Sequence, residues 1–261
     1  MAKFLPSVDM DDIAICMLTY NEERFIEVVL RSIKNSFPRF VLLDMGSTDN
    51  TLAIAKDTLG GVLEVVSWRR ENLFSYGFAQ ARNDLTSAAK LPWAFHIDAD
   101  ELLFLPPGIT KVALGHDGSV QEAQKVIRRN IIGFPDPVYD EARLNDSATS
   151  SVEHHVRLFK SSERVRWESY IHEEVWVDNT RASECASCTD LVLQHLSDFR
   201  QQGEKSGKEK LYAWMTMQAY HHEHLRSHLR PEYIAHARDN SGWLLPLAEE
   251  FGRQNNLQAS W

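Results

Sequence analysis

The sequence predicts an α/β fold: a mostly parallel central sheet with flanking helices, followed by a helical C-terminal extension. Three observations predict it. In the first hundred residues, short continuous apolar runs alternate with segments of helical period. Cap and breaker residues sit at each change of period. Beyond residue 200 the strand signals stop and helix formers take over.

Taken in order, Ile13–Thr19 (IAICMLT) reads as a strand buried on both faces. Asn21 can cap a helix starting at Glu22, with Phe25, Val28, Val29 and Ile33 at helical spacing and Pro38 beyond its end. Phe40–Leu43 is the next strand. Thr48 to Leu59 is a helix that Gly60-Gly61 ends. Val62–Ser67 is a strand, Phe78 to Lys90 a helix preceded by Gly77, and Trp93–Ile97 a strand. This alternation demands parallel strands with helical crossovers. After Pro106-Pro107 strands are expected at Gln121–Ile132, Val156–Lys160, Val165–Trp167, Glu174–Val177 and Leu191–Leu196. The polar, proline-containing stretch Gly133–Glu153 reads as a long loop. Lys205–Arg226 is helical, and Pro231 can open another helix. The domain division expected is 1–200 for a catalytic α/β domain and 201–261 for a helical extension.

The 261 residues carry 28 basic and 37 acidic side chains, a net charge of −9. That balance is not a nucleic-acid footprint. No apolar run approaches the roughly 20 residues a membrane span requires. The N-terminus lacks the apolar core of a signal peptide, so a cytoplasmic location is expected. Of three cysteines, Cys16 lies in an apolar run; Cys185 and Cys188 form a lone CxxC, which without a second pair is a weak metal or redox signal.

In a parallel α/β sheet ligands bind beyond the carboxyl ends of the strands. Those ends read TYNEE (Thr19–Glu23), DMGSTDNT (Asp44–Thr51) and DADE (Asp98–Glu101). The first two also suit simple helix caps and turns. DADE is more pointed: in extended geometry Asp98 and Asp100 share one side, and two carboxylates with no base in the segment suit Mg²⁺ or Mn²⁺.

TYNEE, LLDMGSTDNT, FAQARND on the third helix and FHIDADE, in this order and spacing, resemble the family 2 glycosyltransferases of the GT-A fold over roughly residues 13–105. RWESYIHEEVW and LVLQHLSDFR extend the likeness more weakly, toward bacterial lipopolysaccharide-core glucosyltransferases and peptide S-glycosyltransferases. The resemblance implies a nucleotide-diphosphate sugar donor, usually a UDP-sugar, inversion at the anomeric carbon, and cell-envelope or peptide acceptors. It places Thr19, Tyr20, Glu22, Asp44, Arg82 and Asp98 at the donor: Tyr20 on the base, Asp44 bonded to it, Asp98 on the ribose or metal-bound water. Asp100 would bind the metal, and Arg82 would contact phosphate or hold the acids. Met45 departs from relatives with a second acid there. His172 and Glu173 sit where this branch has a His-Glu pair; Glu173 would be the base, and His172 would complete the metal shell or touch the diphosphate.

Two other classes compete. A nucleotidyltransferase wants a glycine-rich basic phosphate loop after the first strand, which TYNEERF is not. A non-catalytic sugar-nucleotide or glycan binder on the same scaffold is separated from an enzyme by donor turnover. His195 at a strand end and His154-His155 read as structural histidines. His221, His224 and His228 fall on one face of a continuous helix. Residues 200–230 carry six Arg/Lys against three Glu. They are expected either to pack Leu211, Trp214 and Met215 on the sheet or to meet an anionic acceptor or membrane surface.

Overall fold

The computed structural model describes residues 6–115, 120–131, 149–196 and 202–259. They divide into two compact units. The first is built from Met1–Arg70, Ala81–Arg166 and Glu174–Phe199; the second from Glu71–Gln80, Trp167–Glu173 and Arg200–Trp261.

In the first unit the chain runs β1 (Ser7–Asp9), β2 (Ile13–Thr19), α1 (Ile26–Ile33), β3 (Arg39–Asp44), α2 (Thr51–Leu59), β4 (Leu63–Ser67), α3 (Arg70–Ala88, begun here), β5 (Trp93–His96), β6 (Glu101–Leu103) and β7 (Lys111–Ala113). It continues through β8 (Val120–Ile131), β9 (Thr149–Lys160), β10 (Val165–Glu168), β11 (Glu174–Val177), β12 (Thr180–Arg181), the single turn α4 (Ala182–Cys185) and β13 (Ala186–His195). Eight of these strands form one sheet in the order β4-β3-β2-β5-β9-β8-β13-β6. β4, β3, β2 and β5 are mutually parallel. β9 runs against both β5 and β8, and β13 is parallel to β8 but opposed by β6. Six strands therefore point one way, and only β9 and β6 oppose them. The α/β class and the mostly parallel sheet expected from the sequence are borne out.

The core explains the patterning. Every residue of β2 is buried, as a strand covered on both faces must be. Ile26, Val29, Leu30 and Ile33 of α1 pack with Ile13, Ile15, Met17, Phe40 and Phe95 in one apolar cluster. Burying side chains of this size contributes about 1.5–3 kcal/mol each.

Four expectations need correction. The first helix starts at Ile26, not Glu22, because Asn21 adopts φ 54 and the N–H groups of residues 21–23 go to side chains of the neighbouring loop. The third helix begins at Arg70, seven residues before Gly77, where its backbone breaks at φ 78, ψ 177. The predicted loop 133–153 lies mostly outside the described residues, and Thr149–Glu153 is already strand β9. The residues Asp98–Glu101 form a turn, closed by Glu101 N donating to Asp98 O at 3.0 Å, instead of continuing extended.

The second unit holds the start of α3, the Trp167–Glu173 connection and the helices α5 (Gln202–His221), α6 (Glu223–Arg226), α7 (Pro231–Asp239, opened by its proline) and α8 (Ser241–Gln254). Trp214 and Met215 are buried as anticipated, and within this unit Trp214 meets Phe251 of α8 at 6.1 Å. A Cβ on Gly252 would come within 2.5 Å of the Trp214 ring. The helix also breaks at His222, whose ψ of 115 is extended. His221 and His224 therefore lie on different helices and share no face; with Glu223, Arg226, Ser227 and Ile234, His221 lines an open surface groove.

Candidate active site

Because six strands share a direction, their carboxyl ends lie along one edge, and four motifs arrive there. Asp44, at the end of β3, is 5 % exposed. It accepts from Gly46 N (3.1 Å), Ser47 N (3.0 Å) and Ser47 Oγ (2.5 Å), with Thr19 Oγ1 at 3.4 Å. Gly46 at φ 86 makes that tight return possible. Met45, where relatives carry an acid, is buried.

The loops after β2 and β3 are stitched together. Asn21 N donates to Ser47 Oγ (2.9 Å), Glu22 N to Thr51 Oγ1 (2.7 Å) and Thr48 N to Asn21 Oδ1 (2.8 Å). Glu23 accepts from both nitrogens of Asn50 at 3.0 Å. Beside them the Arg70 guanidinium lies 3.6 Å over the Tyr20 ring, a cation–π contact that fixes its plane.

The DADE carboxylates are answered by Arg82, one of whose two expected roles was to hold the acids, and by Arg157 and Arg128, which the sequence reading did not connect with them. Asp98 accepts from Arg82 (3.0 Å) and from Arg157 of β9 (2.8 and 3.3 Å). Glu101, fully buried, receives Arg157 at 3.0 Å and Arg128 of β8 at 3.1 Å. It also closes the turn by accepting Asp98 N at 2.9 Å. Burial opposes ionisation of Asp98, but the charges of Arg157 and Arg82 outweigh it and hold the carboxyl well below the usual carboxylate range. His96, under this cluster, is pushed well below the ordinary imidazole value by burial and by the same two arginines. It stays neutral, bonded to Thr86 Oγ1 at 2.9 Å and stacked on Phe159.

Asp100 differs from its neighbours. Its Oδ2 is 3.3 Å from His195 Nε2, and both side chains are nearly buried. His195 Nδ1 lies 2.7 Å from Asn130 Oδ1, and Arg128 Nη2 meets the same ring, 2.8 Å from Nε2. Asp100 Oδ2 and His195 Nε2 lie close enough to share a divalent cation, which would stand where Arg128 now meets the ring and would take phosphate oxygens for its other positions. Among the described residues no three His, Cys, Asp or Glu side chains group to hold a metal alone. His195 was read as structural from sequence; only the pairing of β13 with β8 and β6 carries it to Asp100.

The structure thus brings together Thr19, Tyr20, Glu22, Asp44, Arg82, Asp98 and Asp100 on one sheet edge of the first unit. His172 and Glu173 belong to the second unit. There His172 adopts φ 52 in a bend. Its ring stacks on Tyr212 (5.2 Å) and Tyr233 (4.5 Å), and Arg230 donates to its carbonyl at 3.2 Å. Burial sets its pKa below the ordinary imidazole value.

Residues 14–112 match the family model described as glycosyl transferase family 2, which bears out the resemblance carried by the four motifs. The SPbeta prophage-derived glycosyltransferase SunS of Bacillus subtilis (strain 168) is 27 % identical over 166 residues, covering 64 % of this chain and 35 % of that one. An uncharacterized glycosyltransferase of Rickettsia typhi (strain ATCC VR-144 / Wilmington) is 34 % identical over 94 residues, 36 % of this chain and 30 % of that one. The chain spans about a third of the length of these curated relatives. Among solved structures, S. aureus TarS 1–349 aligns over 92 % of this chain and 70 % of its own, at 15 % identity and a TM-score of 0.39. Mycobacterium tuberculosis glucosyl-3-phosphoglycerate synthase, in complex with Mn²⁺, UDP and phosphoglyceric acid, aligns over 45 % and 43 % at 24 % identity and a TM-score of 0.31.

Proposed function

We propose, from a chain whose residues 14–112 form a family 2 glycosyltransferase domain, that this protein is an inverting glycosyltransferase of GT-A type. It moves a sugar from a nucleotide-diphosphate donor, most simply a UDP-sugar, to a glycan, lipid-linked or peptide acceptor. The observation that carries this reading is the gathering of the strand-end motifs on one carboxyl edge, with Asp100 Oδ2 3.3 Å from His195 Nε2.

In this reading Tyr20, Thr19, Glu22 and Asp44 form the nucleotide end. The Asp44 carboxylate shapes the loop that faces the base, because its own turn already occupies it. Asp98 reaches the ribose or metal-bound water, and Arg82 and Arg157 fix its orientation. Mg²⁺ or Mn²⁺ would be held by Asp100 together with His195, the histidine whose geometry fits the role the sequence reading gave to His172. When bound, the ion supplies a Lewis acid for the leaving diphosphate. Glu173 is proposed as the base that takes the acceptor proton. No helix among the described residues is long and apolar enough to cross a membrane. A cytoplasmic site of action, with peripheral membrane contact through residues 200–230, is part of the same proposal.

The test is calorimetric titration of UDP with and without Mn²⁺. Metal-dependent binding by the wild type, lost in Asp100→Asn, is expected. Failure of UDP, GDP, CMP and TDP to bind under any metal condition overturns the donor site. Binding without turnover of any sugar donor would favour the non-catalytic alternative.

A further inference from the structure

The polar band does not stop at His195. Sheet register places Ser151, Asn130, His195 and Glu101 opposite one another in a single cross-strand row over β9, β8, β13 and β6. Two residues along, on the same face, Glu153 stands opposite Arg128. A hydrogen-bond chain therefore leads outward from Asp100. His195 lies 3.3 Å from Asp100 and 2.7 Å from Asn130; Asn130 Nδ2 donates to Ser151 Oγ (2.6 Å) and Glu153 Oε1 (3.1 Å). Glu153 Oε2 meets Arg128 Nη1 at 3.2 Å and His155 Nε2 at 2.8 Å. The inner members are buried, whereas the Glu153 and His155 side chains are 42 % and 39 % exposed.

On the premise of the transferase reading, we infer that this outer rim, Asn130, Ser151, Glu153 and His155, is a subsite for a neutral, hydroxyl-bearing acceptor: a sugar or polyol. Its place in the sheet order fits. The proposed nucleotide residues end β2 and β3, on one side of β5; the rim lies on β9 and β8, on the other. Asp98–Glu101 follows β5 and stands between them.

Its charge fits as well. Glu153 is kept ionised first by the bond from His155, then, against some burial, by Arg128. His155 is lowered by burial and by Arg157, so at neutral pH its ring is uncharged. Arg128 and Glu153 cancel, leaving a rim without net charge but dense in donors and acceptors. Carboxylate, amide, hydroxyl and imidazole groups match hydroxyls, which both donate and accept. A phosphorylated acceptor would meet the Glu153 carboxylate. An apolar peptide face would take these half-exposed polar groups out of water and give them no hydrogen bond in return.

The experiment is saturation-transfer NMR on the whole chain with methyl hexopyranosides and sorbitol as probes. Glycerol 3-phosphate and a cysteine-containing peptide serve as comparators. Glycoside binding is expected for the wild type, weakened about tenfold in Glu153→Gln, as loss of a hydrogen bond to a charged group predicts, and less in Ser151→Ala. Thermal denaturation of both variants checks folding; Ser151 is exposed and its replacement is tolerated. No binding of any neutral probe, binding of the phosphate or peptide alone, or equal glycoside binding by both variants overturns the subsite. UDP titration of the same samples reads the donor site separately. Failure of UDP, GDP, CMP and TDP to bind, with Glu153-dependent glycoside binding retained, would overturn the donor site and leave the subsite standing.

Discussion

Replacing Arg157 by methionine tests whether the DADE turn is built on its arginines. Arg157 is 6 % exposed and bridges Asp98 and Glu101 with three hydrogen bonds of 2.8–3.3 Å. Removing one partner of a buried pair costs about 3–5 kcal/mol, because the other charge stays buried. Here the loss is softened: Glu101 keeps Arg128, and Asp98 keeps Arg82 and is 29 % exposed. About 2–3 kcal/mol is therefore expected, a fall in melting temperature of about 4–12 °C for a chain of this size. The assay is thermal and urea denaturation of Arg157→Met, Glu101→Gln and the double variant. In the double variant the stranded charge is gone, so it should recover about 1–3 kcal/mol relative to additivity. A loss under about 1 kcal/mol, or additivity within about 0.5 kcal/mol, would refute the reasoning. The acid limb supplies a second reading. The native Asp98 carboxyl is held low, so its stabilisation is complete above the unfolded value of about 3.9 and disappears as pH falls through the native one. In Arg157→Met that acid-sensitive increment should shrink.

Other outcomes follow from neighbouring features. Gly77→Ala should destabilise by more than about 1 kcal/mol in urea titration, because φ is 78 and the new Cβ would lie 2.5 Å from Tyr170 O. Cys16 is fully buried with its thiol pushed far above its usual range by desolvation. A native-state thiol assay should therefore leave it unlabelled until denaturant is added, while half-buried Cys185 and Cys188 react. His96 should show no imidazole titration by NMR near about pH 6.5, where exposed histidines move. Its depressed native pKa means the unfolded chain takes up that proton first, so this residue subtracts stability as pH falls below about 6.5.

Much of the alternating α/β half was legible because its signals are local. A buried strand declares itself as a continuous apolar run, and Ile13–Thr19 is strand β2 as read. Pro231 opens α7, and Gly60 at φ 56 ends α2. Where local signals misled, a tertiary contact took the backbone elsewhere. Asn21 looked like a helix cap, but its N–H and carbonyl side chain go to Ser47 and Thr48 across the gap between two strand ends. His221, His224 and His228 of YHHEHLRSH lost their shared face when the chain broke at His222.

From the residues alone came the alternating α/β order, the strand-end motifs, and the expectation that Asp98 and Asp100 suit a divalent cation. That Arg157 and Arg128 answer Asp98 and Glu101 depended on tertiary structure. Arg157 and Arg128 lie 59 and 27 positions from Asp98 and Glu101, and His195 lies 95 from Asp100. No periodicity or motif spacing links residues so far apart. Only the pairing of β9, β8 and β13 beside β5 and β6 brings them within 3.3 Å, because sheet register fixes neighbours by strand order in space and not by distance along the chain.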